Sequence, residues 1–427
     1  MAEYKGFEYL KNKLAVRKSR VRLRYQYYEM KNVVYDFGIS TPPDLRWFMG
    51  ALGWCGRAVD CLADRLVFRG FRNDVYNLES IYDDNNKDVL TDSAINAALI
   101  GACSFIYVTT ENGTPRMRVI DGRHATGIID PVTNMLREGY AVLEFDECDN
   151  PLIEAYFIPG TTAIYEKGKL VNVIQNAAPY PLLVPIINRP DAVRPFGHSR
   201  ISRSCMSIMD SAIRTVKRSE IASEFFSYPQ KYVLGMEDSA EEMDKWQATM
   251  SAMLRIDKDS QGDRPVVGQF QASSMTPHAD MLRMFAGLFA GETGLTLDDL
   301  GFPSQNPSSA EAIKASHEAL RLTARKAQRD IGVGLLNAGY LASCVRDNRP
   351  YRRQELSNVV PTWEPIFEPD NSTLTVIGDA IAKINNAVPG YIDREMLREL
   401  TGIEGSKEEA NVVAPESIEW MTEGTEE

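Results

Sequence analysis

The sequence predicts an α+β fold, and three observations carry the prediction. Apolar residues recur at helical spacing through the first hundred residues. Between 103 and about 188 the pattern changes to period two, with turn residues between the runs. From Ser199 onward helical spacing returns, in stretches long enough for unusually long helices.

The elements follow in chain order. Residues 5–36 read as a helix carrying a basic run, Lys11, Lys13, Arg17, Lys18, Arg20, Arg22 and Arg24, interleaved with Leu14, Val16, Val21, Leu23 and Tyr25. Such a run is a solvated face, a face docked on acids, or a DNA-contacting face. Ser40-Thr41-Pro42-Pro43 breaks this helix, and 44–66 restarts one through Leu45, Phe48, Leu52, Val59 and Leu62. An extended piece, Arg65 to Phe71, a loop at Asp83-Asp84-Asn85-Asn86 and a helix at 89–102 follow.

The period-two region reads as one antiparallel meander. Its strands are Ser104–Val108, Arg116–Ile120, Thr126–Ile129, Tyr140–Phe145, Ile153–Ile158, Thr162–Tyr165 and Leu170–Val173. Asn112-Gly113 is a hairpin turn of the type that needs two left-handed residues. Pro195-Phe196-Gly197-His198 leads tightly into a helix from Ser199, its expected cap, to about Phe226, about 42 Å at ~1.5 Å per residue. Residues 230–275 form a small insert with strands at Tyr232–Leu234 and Pro265–Phe270 and an acidic helix near Ala240–Leu254. Thr276 as cap and Pro277 at the first position start the returning helix, which ends at Gly291 or Gly294. A breaker-rich loop, Asp298 to Pro307, feeds a very long helix from a Ser308/Glu311 capping box to Val345, with Gly332 and Gly334 as the expected kink. An extended piece with Trp363, helices at 374–387 and 392–402, and an acidic end at 404–427 close the chain.

Composition narrows the function classes. The 427 residues are 44% hydrophobic and 25% charged, which is the make-up of a globular protein. A net charge of −12 argues against a tight nucleic-acid binder or an anionic-membrane binder, both of which collect Lys and Arg. The first residues lack the apolar core of a secretory signal, and the most apolar windows fall short of the ~20 residues that span a bilayer. The six cysteines have no CxxC pair and mostly sit on apolar helical stretches, so they read as buried hydrophobes in a reducing cytoplasm.

Catalytic signals are scarce. The sequence contains no phosphate loop, GxGxxG or GxSxG, and its histidines, at 124, 198, 278 and 317, lack metal spacing. His317 reads as a packed or intersubunit residue. The acid pairs Asp83-Asp84, Asp298-Asp299 and Glu241-Glu242 are the available Mg²⁺ candidates; turn polarity and capping explain each more simply. The expectation is a protein with no catalytic residue, no metal and no cofactor.

What stands out is the layout: a long helix leading out to a small insert, a second helix leading back, and a breaker-rich loop feeding a third. Such a hairpin buries poorly within one monomer and is normally covered by neighbours in an oligomer. At these residues the sequence resembles the portal (connector) proteins of tailed double-stranded DNA bacteriophages. The most specific stretch runs from Thr293-Gly294-Leu295 through Leu300-Gly301 to Asn306-Pro307-Ser308-Ser309-Ala310-Glu311-Ala312-Ile313. Leu52 to Cys55, Ala58 to Asp60, Leu66 to Phe71, Pro195 to Ile201 and the pair of helices from Ile377 to Gly402 support it.

The resemblance implies a ring, usually of twelve subunits, at one capsid vertex. It implies a wing of antiparallel β-structure over 1–198, stem helices at 199–228 and 276–292, and a small α/β clip at 229–275. A tunnel loop, long kinked helix and return to the wing would occupy 293–370, and a short helical crown with its acidic tail 371–427. It further implies a non-enzymatic conduit through which double-stranded DNA passes non-specifically. Partners would be the large terminase subunit, a head–tail adaptor, and the major capsid and scaffold proteins, with no membrane; the protein would sit in the virion after assembly in the host cytoplasm. On this reading Asp298, Asp299, Ser304, Gln305 and Asn306 belong to the channel loop. Glu237, Asp238, Glu241, Glu242 and Asp244 form an acidic docking face on the clip. The rival readings are another virion structural protein, such as a minor head component, and a metal-dependent nucleic-acid enzyme using the acid pairs.

Overall fold

The computed structural model describes residues 4–35, 50–148, 150–227, 231–234, 266–269, 274–303, 310–367, 369 and 371–403. Its first helix, α1 (Phe7–Tyr28), lies against the chain's own β-structure. Leu10 and Leu14 form a small apolar cluster with Tyr140 and Val142. Two buried glutamates hold the helix start. Glu138 accepts from the backbone N–H groups of Lys5 and Gly6 at 3.0 Å each and from the Tyr156 hydroxyl at 2.8 Å. Glu154, which is 1% exposed, pairs with Lys11 at 2.8 Å and accepts from the Tyr140 hydroxyl. A carboxylate this deep is tolerable only when paired and fully hydrogen-bonded. Part of the basic run is therefore docked on acids of the same chain.

Next come α2 (Trp54–Ala63), β1 (Phe68–Arg72), α3 (Leu78–Asp83) and α4 (Lys87–Gly101). The helix expected over 44–66 is shorter: 50–53 are not helical, and 44–49 lie outside the described residues. Helix α3, on the stretch before the Asp83 turn, was not expected.

The period-two region forms two sheets where one meander was expected. Strands β2 (Cys103–Glu111) and β3 (Thr114–Asp121) join through Asn112 (φ +51°) and Gly113 (φ +80°), the left-handed pair that this turn requires. Strand β2 also pairs with β9 (Leu183–Ile187), giving a three-stranded sheet in the order β3-β2-β9. Strands β4 (Ala125–Ile129), β5 (Leu136–Phe145), β6 (Pro151–Ile158), β7 (Thr161–Glu166) and β8 (Lys169–Gln175) form the separate antiparallel meander. Strand β9 is buried at every residue, so it shows an unbroken apolar run and no alternation.

Helix α5 (Arg203–Ser227) leads out to β10 (Lys231–Leu234), which pairs antiparallel with β11 (Val266–Gln269), and α6 (Thr276–Thr293) returns against α5. The α5 cap is Ser202, whose hydroxyl accepts from the Cys205 N–H at 3.1 Å. Ser199, expected there, is buried and donates instead to the Ile100 carbonyl at 2.7 Å. At α6 the capping position falls on Met275, with Thr276 inside the helix.

The long helix is two pieces, α7 (Ala310–Ser316) and α8 (Glu318–Arg346), interrupted at His317. Helix α8 continues without interruption through Gly332 and Gly334, where the kink is expected. Those glycines are contact points. A Cβ on Gly334 would stand 2.8 Å from Ile186 Cδ1 and 3.0 Å from the Pro185 oxygen, and one on Gly332 3.2 Å from Pro361. The missing side chains let α8 press onto β9 and onto β12 (Val360–Trp363), which pairs antiparallel with β1. Helices α9 (Asn371–Ala387) and α10 (Arg394–Thr401) end the described chain.

Candidate functional site

The loop after α6 is built from its helix end outward. Gly294 takes the left-handed conformation (φ +68°) and donates to the Ala290 oxygen at 2.8 Å, closing α6. Leu295 and Leu300 are buried. Between them Asp298–Leu300 makes a 3₁₀ turn, and Gly301 (φ +89°) reverses the chain so that the Phe302 N–H reaches the Leu297 oxygen at 3.0 Å. Trp54 seals the base, with its ring 5.7 Å from Phe289 and 6.5 Å from Phe302.

The two aspartates of this loop differ. Asp299 accepts at 2.9 Å from both the backbone N–H and the hydroxyl of Thr296, so its carboxylate locks the turn. Its Oδ2 lies 3.8 Å from Nδ1 of His317, whose ring packs 6.0 Å from Phe367. His317 is thus a packed residue of this chain, at the break between α7 and α8. Asp298 is exposed. Ser304, Gln305 and Asn306 lie outside the described residues, as do Ser308 of the expected capping pair and the clip acids Glu237, Asp238, Glu241, Glu242 and Asp244.

Sequence reasoning missed the residue that ties the loop to the fold. Arg200 is 8% exposed. Its Nε donates to the Ala58 carbonyl at 3.2 Å, and its terminal nitrogen donates to the Thr293 carbonyl, the last residue of α6. Burial pushes its guanidinium down to about 10, which still leaves it charged at neutral pH. One cation thereby joins α2, the lead-in to α5 and the end of α6. The faint signal in the sequence was an arginine flanked by Ser199 and Ile201 in the Pro195–Ile201 stretch. A second tie runs from α1, where the Tyr27 hydroxyl bonds both carboxylate oxygens of Asp210 at 2.9 Å. Burial, opposed by that hydrogen bond, leaves Asp210 above the usual carboxylate range.

Among the described residues no group of three or more His, Cys, Asp or Glu side chains is placed to hold a metal ion, and no helix is long and apolar enough to cross a membrane. The arrangement gives a turn seated on Trp54, Leu295 and Leu300 directly after the end of α6.

No protein-family model matches the chain. Two curated proteins are similar to it, each named a portal protein. That of Mycobacterium phage L5 is 24% identical over 401 residues, covering 87% of this chain and 80% of its own length. That of Mycobacterium phage D29 is 23% identical over 410 residues, covering 90% and 82%. Among solved structures, a chain from the virion of a native gene transfer agent particle overlays with a TM-score of 0.45 at 14% identity, covering 82% of this chain and 90% of that one. Along nearly its whole length the chain is thus similar to two bacteriophage portal proteins, the kind of protein its sequence resembles.

Proposed function

We infer that this chain is a phage portal protein, a structural component of the virion through which the genome is packaged and ejected. The observation that carries this reading is the near full-length similarity to two phage portal proteins. A homo-oligomeric ring, of about twelve copies by the family's pattern, is the assembly that fits. Its support within the chain is an uncovered apolar stripe on α6: Met281, Met284 and Leu288 stand on one helical face and are 41%, 52% and 54% exposed. A neighbouring copy packed along the α5–α6 pair would bury them.

On this reading α5 and α6 are the stem, the β10–β11 unit belongs to the clip, and 293–309 form the channel loop. Asp298 with Ser304, Gln305 and Asn306 would meet DNA through weak polar contact and repulsion, while Asp299 holds the turn behind them. A channel wall poor in cations avoids the counterion release that would make DNA stick. The clip acids Glu237, Asp238, Glu241, Glu242 and Asp244 would steer a basic face of the terminase, and later of the adaptor, by charge complementarity. ATP hydrolysis would belong to the terminase.

Electron microscopy of the purified chain tests the reading. Closed rings around a central hole are expected, with native mass giving the copy number. Shells, sheets of hexamers or a persistent monomer would overturn it.

A further inference from the structure

A cleft of about 680 Å³ opens between α1, the 193–199 segment and the start of α5. Six cations line it: Lys13, Arg17, Arg20 and Arg24 from α1, Arg194 from the loop, and Arg203 from α5. No aspartate or glutamate is among its lining residues. The four on α1 are spaced four, three and four apart, which puts them along one edge of the helix. Among the described residues none of the six makes an ion pair, whereas Lys11, one turn away, is paired with Glu154. The floor is apolar, with Phe105, Ile129 and Phe196. In a chain of net charge −12 this concentration of one sign is a local opposite.

The cations also crowd one another. Burial, then Arg17 and Lys5, push the Lys13 ammonium down to about 8. Burial, with Arg194 and Arg20 acting in the same direction, lowers the Arg24 guanidinium. An anion seated in the cleft would relieve that repulsion.

We propose that this cleft is a docking site for an acidic polypeptide segment bearing apolar side chains, and that its occupant is residues 404–427 of the same chain. That segment carries eight glutamates against one lysine, together with Val412, Val413, Ile418, Trp420 and Met421. Its glutamates match the cationic rim, and its apolar residues match a floor that a DNA backbone would leave unfilled. Its 24 residues reach about 80 Å when extended. Because the segment belongs to the same chain, its docking is intramolecular, which raises its effective concentration above that of a separate molecule.

Zero-length carbodiimide coupling on the full chain tests this, since it joins a lysine amine only to a carboxylate in contact with it. Chains with ordinary and heavy nitrogen are co-assembled, coupled near pH 7 and digested for mass spectrometry. The expected product is Lys13 joined to a glutamate of 404–427 within one isotopic species. Replacing Arg17 and Arg20, both exposed, by glutamate is expected to lower its yield at least tenfold with the thermal transition unchanged. Light–heavy links in the statistical proportion of the mixture would give the cleft to another copy and overturn the assignment, because an intrachain contact yields no mixed product. So would Lys13 coupled only to Glu138 or left uncoupled. Protection of Lys13 from acetylation by a 20-base-pair duplex, without the tail product, would assign the cleft to nucleic acid and overturn the proposal. None of these outcomes depends on whether rings form.

Discussion

Replacing Gly197 by alanine measures how firmly the lead-in to α5 is fixed. Gly197 has φ +74°, and a Cβ there would stand 2.1 Å from the Asn188 oxygen and 2.7 Å from Ile187 Cγ2. That oxygen accepts from the His198 N–H at 2.8 Å, and the Asn188 side chain donates back to the His198 carbonyl at 2.7 Å. Left-handed backbone costs a residue with a Cβ about 1–2 kcal/mol. The clash then forces His198 and Asn188 apart, and each lost hydrogen bond adds about 1 kcal/mol. The sum is about 3–4 kcal/mol. Gly168, with φ +77° and no atom within 4 Å of its would-be Cβ, is the control, since there only the backbone term applies. Hydrogen exchange under native conditions reads the difference. The His198 amide should lose at least about thirtyfold of its protection, roughly 2 kcal/mol, relative to the amides around residue 168 in their own variant. Equal effects in the two variants would refute the reasoning, because they would mean that only backbone strain matters and that the Asn188–His198 exchange does not hold the helix start.

Two further perturbations test the interior. Gly334→Ala should lower the thermal midpoint, because its Cβ meets the β9 backbone, where overpacking costs about 1–3 kcal/mol. Gly287→Ala on α6, with no atom within 4 Å, should raise it, since helix propensity favours alanine by ~1 kcal/mol; a hinge role for Gly334 would make the two alike. Asp121 should govern part of the acid limb. Burial alone would raise its pKa, but hydrogen bonds from His124 and Arg123 outweigh burial and hold it well below 3.8. Its contribution is thus present above the unfolded value and is lost as pH falls below about 4 toward the folded one. Asp121→Asn should lose stability at pH 7 and show a flatter acid limb, read by thermal unfolding across pH 2 to 7.

Local chemistry made much of this fold legible in the sequence. The Asn112-Gly113 turn, the individual strands between 103 and 175, the outgoing and returning helices and the strand pair between them follow from turn residues and periodicity. What failed did so where tertiary contact overrides local pattern. Strand β9 pairs with β2 across some eighty residues, and an apolar run does not name its partner. Mid-helix glycines do not declare what they pack against, and at Gly332 and Gly334 those neighbours are Pro361 and β9. Thr276 and Ser199 are good capping residues in places where the chain caps with other groups. Of the candidate site, the turn between Gly294 and Gly301 was legible. Its anchors were not: Arg200 and the Trp54–Phe289–Phe302 contact bring together residues far apart in the chain, and spacing carries no information about that.

Net charge bears on DNA passage only through where the charges stand. The −12 total includes six cations gathered into one cleft, so the rest of the molecule is more acidic than the total implies. If that cleft faced the channel, each subunit would add several phosphate contacts, and retention of DNA would fall steeply with salt. If it holds an acidic segment instead, those cations are neutralised within the protein and the conduit stays non-adhesive. The exchange of Arg17 and Arg20 for glutamate separates the two cases. It takes the net charge from −12 to −16, since each exchange removes one positive and adds one negative charge. With the cleft away from DNA, packaged genome length and its salt dependence should match the wild type. A shallower salt dependence of DNA retention in the variant would put the cleft on the DNA path, because it would show that phosphates had been contacting these two arginines.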